Sequence, residues 1–272
     1  MKRFPLVAAL CAAVTLAAPA DAELLVAPTR VVLSSDQRSA ELILVNKGEE
    51  TAAFRLAIEN RRMLQDGSLE AANEAQEGEL FADDKIRFSP RQLVLEPGAR
   101  QVVRVLASTP SGLADGEYRS HLRLMSAPVS ARAGAGEGAG PDNALAIELI
   151  AIRSLTVPVI LRKGNLDAAV TVDTAAFAAD AENRLVVRLS RSGSRSTYGD
   201  IRLTVEGEAE AAWMVRGVAV YTPNTSRDVV LPLPEEVAQR LSGKRVNVTY
   251  VSTDTSDPDN LGALLADMTV QL

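Results

Sequence analysis

A single cysteine, Cys11, is the only thiol in the chain, and it sits within an N-terminal segment that reads as an export signal. Lys2 and Arg3 form a positive start, the stretch from Pro5 to Pro19 is almost wholly apolar, and Ala20-Asp21-Ala22 fits the small-x-small rule for cleavage. The apolar stretch is short for a membrane span. Cleavage after residue 22 would remove the cysteine, which excludes disulfides, thiolate metal sites and a cysteine nucleophile. Cohesion must then come from apolar burial. Histidine is equally scarce. His121 stands alone, so no histidine cluster offers a zinc or copper site, and it reads as a structural residue on a polar strand face. No Gly-x-Ser-x-Gly elbow is present, and no glycine-rich phosphate loop with its lysine follows a strand. Aromatic residues make up 4%, too few for a sugar-stacking face. The run from Asp254 to Asp259 is rich in oxygen ligands but lacks the spacing and closing glutamate of a calcium loop; it reads as a solvated hairpin loop. The apolar stretch 145–161 is interrupted by Glu148 and Arg153, which are costly in lipid. The net charge of −6, with the signs interspersed, argues against a nucleic-acid partner. These absences point away from catalysis, metals and cofactors and toward a binding protein.

What the chain does have is a two-residue rhythm. Ala40, Leu42 and Leu44 alternate with Ser39, Glu41 and Ile43; Phe54, Leu56 and Ile58 alternate with Arg55, Ala57 and Glu59; Tyr118, Ser120, Leu122 and Leu124 alternate with Arg119, His121 and Arg123. Such alternation is the mark of strands with two unlike faces. Turn chemistry separates them: Asn46-Lys47-Gly48-Glu49, Gln65-Asp66-Gly67-Ser68 and Glu96-Pro97-Gly98-Ala99. The acidic, alanine-rich stretch 69–84 has few apolar anchors and reads as a loop. Short strands with turns between them predict an all-β chain of immunoglobulin-like sandwich type. The low-complexity segment at about 127–143, Ala- and Gly-rich, reads as a mobile loop. The long extended candidate Ala144 to Leu161 follows it, and Arg162-Lys163-Gly164-Asn165 closes that strand. This places the N-terminal domain at 23–162, after a signal at 1–22. A second β-sandwich spans 163–272, with Pro234-Glu235-Glu236-Val237 starting one short helical turn.

The charged residues within strands are the best pointers to a site. Arg30 lies among apolar and β-branched neighbours, Arg153 within the long strand, and Arg162 at its end. A guanidinium facing a cleft between two domains presents a donor fork suited to a carboxylate. Isolated cations at a concave domain junction make an anchor for a chain terminus.

In order and spacing these segments resemble the periplasmic chaperones of chaperone–usher pilus assembly. Thr29-Arg30-Val31 matches the family's first-strand arginine motif. Arg38 to Gly48 is similar to its second strand and following turn. Ile86-Arg87-Phe88-Ser89-Pro90, Leu95-Glu96-Pro97-Gly98 and Gln101-Val102-Val103-Arg104-Val105 are similar to its central run, and Gly116 to Leu122 to its sixth strand. The resemblance covers 23–125 well, the last strand of that domain loosely, and 162–272 by length and β pattern. It implies two immunoglobulin-like domains set as an L, in a soluble periplasmic protein. It also implies binding of pilin-like secreted subunits, which receive an exposed strand at a missing edge position, and delivery to an outer-membrane usher. The lent strand would be Ala144 to Leu161, with Ile147, Leu149 and Ala151 as the row facing the client. Arg30 would be half of the anchor for the client's C-terminal carboxylate. The family's other half is a lysine on the last strand. Here Leu155-Thr156-Val157-Pro158-Val159 contains none, and Arg153 is the candidate substitute. An uncovered apolar edge also invites self-association. The alternative reading is a non-enzymatic binding or structural module of the cell envelope with the same double-sandwich fold.

Overall fold

The computed structural model describes residues 24–127, 154–179 and 181–272. The first part of the chain contributes β1 (Leu24–Ala27), β2 (Val31–Leu33), β3 (Ser39–Asn46), β4 (Ala52–Glu59), β5 (Arg61–Met63), β6 (Leu69–Ala71), β7 (Ile86–Ser89), β8 (Gln92–Leu95), β9 (Arg100–Ala107), β10 (Gly116–Ala127) and β11 (Ser154–Lys163). The remainder contributes β12 (Ala168–Ala178), β13 (Ala181–Gly193), β14 (Thr197–Val205), β15 (Trp213–Val220), β16 (Ser226–Pro232), helix α1 (Glu235–Leu241), β17 (Arg245–Ser252) and β18 (Leu264–Gln271).

The first sandwich packs a sheet of order β1-β3-β9-β7 on one of order β2-β11-β10-β4-β8. The opening strand is broken between β1 and β2, so its first half pairs with β3 in one sheet and its second half runs parallel to β11 in the other. That switch is an immunoglobulin-like arrangement. Period-two alternation sets the core: Leu42 and Leu44 of β3, Val103 and Val105 of β9, and Leu122 and Leu124 of β10 meet between the sheets. Gly98 turns β8 into β9 with φ +72, which a side chain would disfavour. The second sandwich packs β12-β13-β16 on β15-β14-β17-β18. Its own core includes Leu185, Leu189, Ile201, Leu203, Val248 and Tyr250. Helix α1 starts behind Pro234, carries Glu235 and Glu236 in its first turn and Arg240 in its last, and buries Ala238 and Leu241. Those charges suit the helix dipole.

Two sequence expectations change here. The stretch after Gly67 does not read through as a loop: β5 and β6 form a two-stranded hairpin. Its tip is tied to the second sandwich, where Asp228 N–H donates to the Gln65 carbonyl at 2.7 Å and Asn224 Nδ2 donates to the Met63 carbonyl at 2.9 Å. Met63 joins Ile160, Ala219 and Tyr221 in a small apolar cluster between the sandwiches. The hairpin escaped the sequence reading because its apolar anchors are partners in that cluster and carry no period of their own. His121 shares a strand face with Arg119 and Arg123, as its spacing requires, but the face is not solvated. His121 is fully buried, and neither ring nitrogen has a hydrogen-bond partner. Burial, reinforced by the positive charges of Arg119 and Arg61, lowers its pKa to about 3.

Candidate functional site

Arg30 sits at the break between β1 and β2, where the chain changes sheets. The parallel register begins with Val31 opposite Val159, which sets Arg30 level with Pro158. The side chain is 7% exposed and reaches the second sandwich, where its Nη1 lies 2.8 Å from Asp254 Oδ1. Its guanidinium carbon stands 4.7 Å from the centre of the Tyr198 ring, a cation–π contact. Nη1 is thereby engaged and one face of the plane is covered. The Nε and Nη2 groups, which together form the side fork of the guanidinium, are buried without a hydrogen-bond partner among the described residues.

Asp254 is the hub of this junction. Its Oδ1 also accepts from the Ser256 N–H and hydroxyl, and its Oδ2 accepts from Arg162 Nη2 at 3.1 Å. Burial alone would raise its pKa, but the adjacent charges of Arg30 and Arg162 and the Ser256 hydrogen bond bring it down to about 2. The carboxylate is therefore ionised throughout the neutral range. Asp254 thus departs from the expectation of a solvated hairpin loop. It is 5% exposed, because two arginines from the other sandwich close over it.

Arg162, at the end of β11, has all three nitrogens occupied. Nε donates to Glu117 Oε2 at 3.0 Å, Nη1 to the Ser256 hydroxyl at 3.1 Å and Nη2 to Asp254. Glu117, whose side chain is fully buried, also accepts from the Ser196 N–H at 3.1 Å and the Thr222 hydroxyl at 3.3 Å through Oε1. Nearby, Arg119 lies 4.3 Å over the Tyr221 ring and donates to the Thr222 carbonyl at 3.4 Å. Every one of these contacts crosses from one sandwich to the other or supports one that does.

A cleft of about 300 Å³ opens beside Arg30, lined among others by Thr29, Gln37, Tyr198, Thr253 and Asp254. The parallel register of β2 brings the outer edge of β11 level with Arg30. This strand pairs with β10 along its full length, from Ser154 to Lys163, but with β2 only from Val159 to Leu161. From Ser154 to Pro158 the outer edge therefore has no partner strand among the described residues. Leu155 on this segment is 43% exposed, while Val157 and Val159 beyond it are buried in the core. Pro158 fits such a place, since proline is tolerated in a sheet where its missing N–H faces away from a paired neighbour.

Of the residues singled out from the sequence, Arg30 and Arg162 lie at this junction. Arg153, Ile147, Leu149 and Ala151 lie outside the described residues. The lysine of β11, Lys163, is turned toward the Leu113 carbonyl and Asp115, away from the cleft. Asp254, Glu117 and Tyr198 were missed as site residues. Only their partners reveal them, because each acts across a domain junction that one-dimensional spacing does not encode. The signal that could have found them is the pairing requirement of in-strand arginines: a buried Arg30 and Arg162 demand carboxylates from elsewhere in the chain.

No family model and no curated protein sequence matches the chain. Among solved structures, it is similar at 11% identity to the CsuC–CsuE chaperone–tip adhesion subunit pre-assembly complex of Acinetobacter baumannii, covering 84% of this chain and 93% of that one with a TM-score of 0.46. It is similar at 15% identity to the Salmonella enterica SafA pilin in complex with the SafB chaperone, covering 94% and 99% with a TM-score of 0.43. It is also similar at 15% identity to the E. coli chaperone DraB, covering 92% and 99% with a TM-score of 0.40.

Proposed function

We propose that the chain is a periplasmic chaperone that binds pilus- or fimbrial-type subunits through an edge strand and hands them on for assembly. On this reading residues 1–22 are removed on export, 23–162 form the client-binding domain, and 163–272 form the second sandwich. The observation that carries the reading is the outer edge of β11 from Ser154 to Pro158, which has no partner strand among the described residues and lies level with Arg30. An open edge is a template for an added strand, with main-chain hydrogen bonds for affinity and alternate side chains for specificity. A client strand lying there would run into the cleft, where a terminal carboxylate meets the side fork of Arg30 in a charge-assisted pair. Asp254 and Tyr198 hold that fork in place from the other sandwich. Pilin-like secreted subunits are the proposed clients and an outer-membrane usher the proposed recipient; without a client, the same edge would support self-association. Arg153, Ile147, Leu149 and Ala151 complete the proposed client surface.

The test is capture in the native host. Tagged chain should recover, in one-to-one complexes, a β-sandwich subunit of the pilin type. Arg30→Met should lose that subunit while keeping its thermal midpoint. Equal recovery by Arg30→Met at an unchanged midpoint would remove Arg30 from the anchor.

A further inference from the structure

The cleft beside Arg30 is lined by more unsatisfied donors than the arginine alone provides. Thr253 follows β17 directly, belongs to the second sandwich, and lines the same cleft. Its backbone N–H is used, donating to the Tyr198 carbonyl at 3.2 Å. Its hydroxyl is buried with no hydrogen-bond partner among the described residues, as are Nε and Nη2 of Arg30. A buried donor without an acceptor costs free energy, and native structures rarely leave one so. Two guanidinium nitrogens and a hydroxyl around one cleft are the donors a carboxylate requires, since its two oxygens offer several lone pairs.

Charge points the same way. Arg30, Arg119, Arg162 and Arg191 lie around two buried carboxylates, Glu117 and Asp254. Arg162 has no free nitrogen, and Arg191 is turned onto the carbonyls of Asn224, Gly193 and Arg195. Arg119 also has two nitrogens without an acceptor among the described residues, but it is stacked on Tyr221 and does not line the cleft; of the four, the arginine with an open fork at the cleft is Arg30.

We infer that Thr253 is the second donor of the carboxylate anchor: its hydroxyl binds a client's terminal carboxylate together with the Nε/Nη2 fork of Arg30, so one cation and one hydroxyl, from opposite domains, do the work. The inference rests on the chaperone reading above and deepens it. A lysine on β11 is not needed, and the anchor exists only while the two sandwiches face each other. The three donors are covered, so the proposal requires the cleft to widen between its two walls, one from each domain, for a carboxylate to reach them.

The experiment is a binding titration of the full-length mature chain with a synthetic peptide of alternating valine and threonine, made with either a free C-terminal carboxylate or a carboxamide. The wild type should prefer the free carboxylate. Thr253→Val should weaken binding of that form by about tenfold, the loss expected for one hydrogen bond to a charged group. It should leave binding of the amide form unchanged and the thermal midpoint no lower, and Thr253→Ser should restore the preference. Arg30→Met should abolish the preference. A wild type that fails to bind, or does not distinguish the two ends, overturns the chaperone reading itself. A wild type that does distinguish them, with Thr253→Val behaving identically, overturns only the role of Thr253 and leaves Arg30 as the sole anchor.

Discussion

Arg162 and Arg30 grip the same carboxylate through different oxygens and differ in what else they hold. Around Arg162 every nitrogen has an acceptor, and the buried Glu117 is satisfied in return by a backbone N–H and a hydroxyl. Around Arg30 one nitrogen is held, one face is stacked, and the remaining fork has no acceptor. A closed network fixes a geometry; an open one beside a cleft leaves capacity for a ligand. Two like residues at one junction are thus separated by their hydrogen bonds into a saturated group and one with donors to spare, the latter being the proposed binding group.

Matched substitutions can break that comparison. The largest effect should come from Arg162→Met. It strands Glu117 without its cation and takes one of two from Asp254, and removing one member of a buried ion pair costs roughly 3–5 kcal/mol. Urea denaturation should show the midpoint falling accordingly; a loss as small as that of Arg30→Met would erase the distinction. Next is the buried imidazole on the same strand as Glu117. His121 titrates near 3 in the folded protein and at its usual 6.5 when unfolded. Below pH 6.5 the unfolded chain binds the extra proton, so stability is full above that value and declines toward pH 3. The wild type should lose about 2 kcal/mol between pH 7 and pH 5 from this group. His121→Leu should flatten that part of the profile; an unchanged slope would show that another group drives it. Gly67→Ala asks whether the hairpin shares the work of the ion network. Gly67 has φ +85, and a Cβ there would overlap the Arg227 guanidinium. The expected cost is about 1–3 kcal/mol, read as a lower thermal midpoint. The smallest change should be Arg30→Met, within about 1 kcal/mol, because loss of an ion pair is offset by removing two buried donors that had no acceptor. Its consequence should lie in client binding instead.

Much of the framework was legible in the residues. Leu42, Leu44, Leu122 and Leu124 announced their strands by alternation, and they are buried core in the structure. Pro234 with Glu235 and Glu236 announced the start of α1. The hairpin at Arg61–Ala71 was hidden, because Met63 is held by Tyr221 and Ala219 from more than 150 positions away. Arg30 could be singled out, since an arginine among Val and Thr is conspicuous. Asp254 could not, since an aspartate among Thr, Ser, Asp and Pro looks like a loop until two arginines fold over it. Local periodicity encodes which face of a strand is apolar. It carries nothing about which distant charge will satisfy a buried one.

Pro158 gives the open edge of β11 a direction. A strand added to a uniform edge can slide by two residues and find the same hydrogen bonds again, so register on such an edge is weakly specified. Proline has no N–H to give, and on the edge of β11 this removes one rung at the level of Arg30. A carbonyl placed opposite that gap would lack its donor. On the proposed chaperone reading, a client chain that stopped there would present a carboxylate in place of another peptide group, beside the wall that covers the Arg30 fork. On that reading the missing rung and the fork would together act as a buffer stop at the end of a track, allowing one position for the end of the incoming chain.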